Sequence, residues 1–171
     1  NDNDGDTDLF LTSYATDSIL LLECIGPATY APPAIITSLG DGPIEPVLTD
    51  VDGDGADDVL LTNPYGTTPR IKWFEGTWDG TFTQHWVHPS NTWPLNPRAG
   101  DLDGDGDKDL VRITSGPVLA WHTNDGNNNF PGGATTIVNN TFGVHAFELG
   151  DLDGDGDLDI LAGISYLGLE Q

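Results

Sequence analysis

The stretch Gly150-Asp151-Leu152-Asp153-Gly154-Asp155-Gly156-Asp157-Leu158-Asp159-Ile160-Leu161 decides how this chain is read. Carboxylates alternate with small or apolar residues, and a short apolar run follows. The pattern recurs as Asp101-Leu102-Asp103-Gly104-Asp105-Gly106-Asp107-Lys108-Asp109 and Asp50-Val51-Asp52-Gly53-Asp54-Gly55-Ala56-Asp57-Asp58. It recurs once more, without its first aspartate, as Asp2-Asn3-Asp4-Gly5-Asp6-Thr7-Asp8. The equivalent residues Asp2, Asp52, Asp103 and Asp153 set a period of 50, 51 and 50 residues. A second landmark keeps step: Trp73 precedes Phe82 by nine residues, Trp121 precedes Phe130 by nine, and Leu21 precedes Tyr30 by nine. Internal repetition at this period is the signature of a repeat architecture.

Working outward, each loop leads into an apolar run: Leu9-Phe10-Leu11, Val59-Leu60-Leu61, Leu110-Val111-Arg112-Ile113 and Ile160-Leu161-Ala162. Further runs follow in each unit, such as Ile71-Lys72-Trp73-Phe74 and Val118-Leu119-Ala120-Trp121, with Gly-containing turns between them. No stretch has a helical period with caps. The expectation is an all-β chain with about four strands per 50 residues, the dimension of a β-propeller blade. The units fall at about residues 1–39, 40–90, 91–140 and 141–171 of one array. A propeller closes with roughly 4–8 blades. Both ends cut through a unit, so the sequence reads as an excerpt of a longer, partial propeller. An excerpt of that kind is expected to self-associate through its end units.

Composition narrows the function. The 28 acidic residues against 5 basic ones give a net charge of −23, which excludes a nucleic-acid surface and argues against anionic membranes. Of the 23 aspartates, 19 sit in the four loops, and charge packed that tightly repels itself unless a cation neutralises it. No apolar run is long enough for membrane insertion. The single cysteine, Cys24, cannot form an internal disulfide.

Counted from the first aspartate, a full loop carries carboxylates at positions 1, 3, 5 and 9 and glycine at position 6. Calcium takes 6–8 oxygen ligands, and glycine at position 6 lets the backbone turn sharply around an ion. Position 7 is Asp6, Ala56, Asp107 and Asp157. The alanine points to the backbone carbonyl as the donor there. Zinc would call for His or Cys, which the loops lack. An EF-hand needs Glu at position 12, where this chain has Leu61, Arg112 and Ala162.

The quoted stretch, with Trp121-His122-Thr123-Asn124-Asp125-Gly126 and Phe130, resembles the FG-GAP/VCBS repeat family, which includes the calcium-binding blades of integrin α-subunit propellers. The resemblance covers essentially the whole chain. It implies a loop between the first two strands of each blade. It also implies Ca²⁺ held by side chains at positions 1, 3, 5 and 9 and the carbonyl at 7. The implied ligands are Asp50, Asp52, Asp54, Ala56 and Asp58; Asp101, Asp103, Asp105, Asp107 and Asp109; and Asp151, Asp153, Asp155, Asp157 and Asp159. The first unit retains Asp2, Asp4, Asp6 and Asp8. The implied function is an extracellular module for adhesion or for binding a protein or carbohydrate ligand. The alternative is a fragment of a calcium-dependent carbohydrate-active enzyme such as a polysaccharide lyase.

No catalytic constellation stands out. There is no nucleophile elbow and no phosphate-cradling glycine loop. His85 and His88 bracket Trp86 near Trp93 and Arg98, which could form a sugar-stacking platform. The competing reading has the repeated tryptophans filling the space between units, and it is preferred. Asn139-Asn140-Thr141 is a glycosylation sequon.

Overall fold

Each aspartate loop leads into a strand, and in the second, third and fourth units that strand pairs with the one before the loop. A computed structural model describes residues 5–38, 42–63, 71–77, 80–87, 94–116, 118–138 and 143–165. Among them every regular element is a β-strand. The first sheet holds β1 (Leu9–Ser13), β2 (Ser18–Leu22) and β5 (Ala34–Ser38), with a separate hairpin of β3 (Cys24–Gly26) and β4 (Thr29–Tyr30) between the last two. The second is β6 (Ile44–Thr49), β7 (Asp58–Thr62), β8 (Ile71–Gly76) and β9 (Phe82–Trp86), paired in chain order. The third repeats that order with β10 (Leu95–Gly100), β11 (Asp109–Ile113), β12 (Leu119–His122) and β13 (Thr135–Val138). The fourth pairs β14 (Gly143–Gly150) with β15 (Asp159–Ser165). All pairings are antiparallel. The expected junction is present: a loop joins β6 to β7, β10 to β11 and β14 to β15. The sheets are open, and none closes on itself among the described residues.

The sheets stack face to face in chain order, which explains why the strand after each loop is apolar at successive positions. In β7, Val59 and Leu61 face the first sheet, where they meet Ile19, Phe10 and Ile36. Leu60, from the same strand, faces the third sheet and packs with Trp73, Leu110 and Phe130. Val111 and Ile113 of β11 then meet Val144, Phe147 and Ile160 of the fourth sheet. A strand buried on both faces loses the alternation of a half-exposed one. Trp73 is 0% exposed between the second and third sheets, as the packing reading of the repeated tryptophan requires.

The aromatic nine residues after the tryptophan also has a fixed task. Phe82 packs toward the first sheet, edge-on to Phe10 at 5.7 Å between ring centroids, and Phe130 packs toward the second. Each plugs the interface with the preceding unit. The first unit departs from this scheme. Tyr30, expected at the matching place, lies on β4 of the extra hairpin, and the strand that pairs with β2 is β5. Ala28, with φ of 52°, turns that hairpin.

Candidate metal centre

The loops fold around their own carboxylates. In the second unit, Asp50 accepts from the Gly53 N–H (2.8 Å) through one oxygen and from the Gly55 N–H (3.2 Å) through the other. Asp52 accepts from the Asp54 N–H (3.1 Å), and Asp54 from the Ala56 N–H (2.7 Å). Asp101, Asp103 and Asp105 repeat this scheme on Gly104, Gly106, Asp105 and Asp107. So do Asp151, Asp153 and Asp155 on Gly154, Gly156, Asp155 and Asp157. Gly55, Gly106 and Gly156, at position 6, have φ between 90° and 98°, a left-handed conformation that an L side chain rarely adopts.

Position 9 does something the sequence did not disclose. One oxygen of Asp58 accepts from the Val51 N–H (2.7 Å) inside the loop, and the other from the Gly76 N–H (2.7 Å) at the end of β8. Asp109 does the same with Leu102 (3.1 Å) and Asn124 (2.9 Å). In the first unit Asp8 accepts from the Cys24 N–H (2.8 Å), and in the fourth Asp159 accepts from the Leu152 N–H (3.0 Å). The position-9 carboxylate thus staples the start of its loop to the strand beyond. Gly76 is required by this contact, since a Cβ there would lie 2.2 Å from the Asp57 carbonyl oxygen. No side chain encodes the partner N–H, so the staple leaves little trace in the sequence.

Three groups of oxygens converge. In Asp50, Asp52 and Asp58 one carboxylate oxygen of each lies within 4.8 Å of the others, and the same holds for Asp101, Asp103 and Asp109 and for Asp151, Asp153 and Asp159. Position 5 (Asp54, Asp105, Asp155) lies outside these groups. At position 7, Ala56 is buried, the Asp107 carboxylate leans on Gly126, and Asp157 lines a cleft of about 150 Å³ with Asp101 and Asp103. Asp6 and Asp8 are described, whereas Asp2 and Asp4 lie outside the described residues.

The electrostatics are those of crowded, partly desolvated acids. Burial pushes the Asp58 carboxyl up to about 6, against the pull of the Gly76 and Val51 N–H groups and with help from Asp52 and Asp50. Burial also raises Asp109, outweighing the Asn124 and Leu102 N–H groups, and raises Asp52. The two N–H bonds of a position-9 carboxylate use two of its roughly four acceptor sites, so lone pairs remain for a cation. All-oxygen donors spaced to share one centre fit a hard divalent ion.

A family model of the FG-GAP-like repeat matches residues 2–61, 50–112 and 105–162. The chain belongs to the FG-GAP-like repeat family. Each match runs from one aspartate loop through the next, so the repeat unit and the candidate metal loop recur together. FG-GAP-like repeats are typically binding modules rather than enzymes. A comparison with individually characterised proteins gives no match. In this FG-GAP-like chain His85 stacks on Trp73 at 4.5 Å and bonds Glu75 (2.6 Å), and His122 is buried beside Arg112 (3.0 Å). Both rings have packing roles. His88 and Trp93 of the platform reading, and the sequon, lie outside the described residues. Among the described residues no helix is long and apolar enough to cross a membrane.

Proposed function

We propose that this chain is a calcium-binding segment of an extracellular β-propeller, serving adhesion or the binding of a protein or carbohydrate ligand. The observation that carries it is the triplicate cluster: positions 1, 3 and 9 converge within 4.8 Å in three successive units, in loops turned by left-handed glycines. A divalent ion supplies charge neutralisation there. The chain's own residues orient the carboxylates through backbone N–H bonds and tie each loop to its sheet. Calcium fits better than magnesium, which keeps its waters and takes fewer carboxylates. The stacking of open sheets in chain order supports blades of a propeller. The outer face of the first sheet carries Leu9, Leu11 and Ile35, the last 63% exposed, and is suited to contact with another unit or partner. Calorimetric titration of chelated protein tests the reading. About three calcium-binding events per chain are expected, with little response to equal magnesium. A flat calcium titration would remove it.

A further inference from the structure

The three clusters are chemically alike, but what lies beside them differs. The residue at position 8 of one loop reaches back toward the loop of the preceding unit. In the fourth unit it is Leu158, which packs on Gly100, immediately before the third unit's loop, and lines the cleft with Leu102. In the third unit it is Lys108. Its Nζ donates to the backbone carbonyl of Asp50, the first residue of the second unit's loop. The lysine is half-buried, and its own carbonyl accepts from Asn124 Nδ2 (3.1 Å), which anchors its backbone. Its neighbour Asp109 is stapled at both oxygens. The loop that carries Asp50, Asp52 and Asp58 therefore holds an ammonium group from the next unit on its backbone, beside the carboxylates rather than paired with one. The Asp101, Asp103 and Asp109 cluster has hydrocarbon in the same place. Two other cations are engaged elsewhere: Arg98 bonds Glu148 through two nitrogens, and Arg112 is buried against His122.

We infer that Lys108 is the resident counter-ion of the second unit's carboxylate cluster and makes that site the weakest calcium site of the three. The inference rests on the calcium reading above. Without metal, the ammonium offsets part of the repulsion among Asp50, Asp52 and Asp58. With a divalent ion approaching, the same charge repels it. A unit charge roughly 6–9 Å from a divalent ion shifts affinity by about five- to tenfold even under a water-like dielectric. The sites then fill in order, the third unit's before the second's, although their ligand sets match.

The test uses the whole chain, Lys108→Leu, which installs the residue found at this position in the fourth unit, and Lys108→Arg, which keeps the charge. In calorimetric calcium titrations at low salt, Lys108→Leu tightens one site about five- to tenfold and Lys108→Arg leaves it near wild type. The gain disappears when Asp52→Ala is added and shrinks at high salt. In chelator, Lys108→Leu lowers Tm and Lys108→Arg does not. Unchanged or weakened calcium binding in Lys108→Leu would overturn the counter-ion role, the weakening marking a mere tether. A wild-type chain silent to calcium would remove the underlying reading and, with it, the graded sites. The melting comparison in chelator then still decides whether Lys108 neutralises the cluster.

Discussion

Asp58→Asn separates the two tasks of the position-9 carboxylate. The substitution keeps the shape but leaves one oxygen for the two N–H groups of Val51 and Gly76, so one donor faces an amide NH₂. That costs about 1–3 kcal/mol. It also removes a buried charge. A carboxyl raised from its ordinary 3.8 to about 6 binds protons more tightly in the folded state. Its penalty is absent below about pH 4, develops as pH rises through 6, and opposes folding at neutral pH by roughly 3 kcal/mol. The two effects nearly cancel in metal-free protein. At pH 7 in chelator the variant is expected to melt within a few degrees of wild type, at about 2–4 °C per kcal/mol for a chain of this size. Calcium at 100 times Kd adds about 2.7 kcal/mol per site, and the variant forfeits one site in three. Differential scanning fluorimetry with and without calcium should show the calcium-induced rise in Tm cut by about a quarter, since the lost site is the weakest of the three. A loss of 10 °C or more in chelator would refute the cancellation. An unchanged calcium-induced rise would refute position 9 as a ligand.

Other outcomes follow from the same geometry. Asp103→Ala, inside a cluster, should weaken its site far more than Asp107→Ala, whose carboxylate leans on Gly126 instead, by calcium titration. Gly76→Ala should destabilise the chain by about 2–4 kcal/mol in chemical denaturation, because its Cβ would meet the Asp57 carbonyl at 2.2 Å. Phe82→Ala should cost about 3–5 kcal/mol by opening the interface with Phe10, and hydrogen exchange should speed in β1 and β7 together. Calcium affinity of the second unit's site should fall below about pH 6, with proton release on binding, as Asp58 must ionise to serve as ligand.

The periodic aspartates made the loops, their strand junctions and the all-β class legible, because spacing and apolar runs are properties of side chains. The inter-sheet role of Trp73 was legible for the same reason. The extra hairpin of β3 and β4 was not: the Leu21 to Tyr30 interval matched the other units, while the local turn at Ala28 diverted the chain. The convergence of positions 1, 3 and 9 without position 5 depends on which backbone N–H each carboxylate accepts, and every non-proline residue offers one. The contact of Lys108 with a neighbouring loop spans 58 residues, and its charge has no counterpart in the fourth unit, where Leu158 stands, so repetition could not reveal it.

The staple at position 9 turns distant amides into reporters. The N–H groups of Gly76 and Asn124 lie 18 and 15 residues from Asp58 and Asp109, yet each shares a carboxylate with a candidate ion site. When a cation draws electron density from that carboxylate, the hydrogen bond on its other oxygen weakens. In a ¹⁵N-resolved NMR titration, the Gly76 and Asn124 resonances should therefore move with occupancy of their own loops. Each would give a separate readout for one site in a chain whose loops are otherwise nearly identical in sequence.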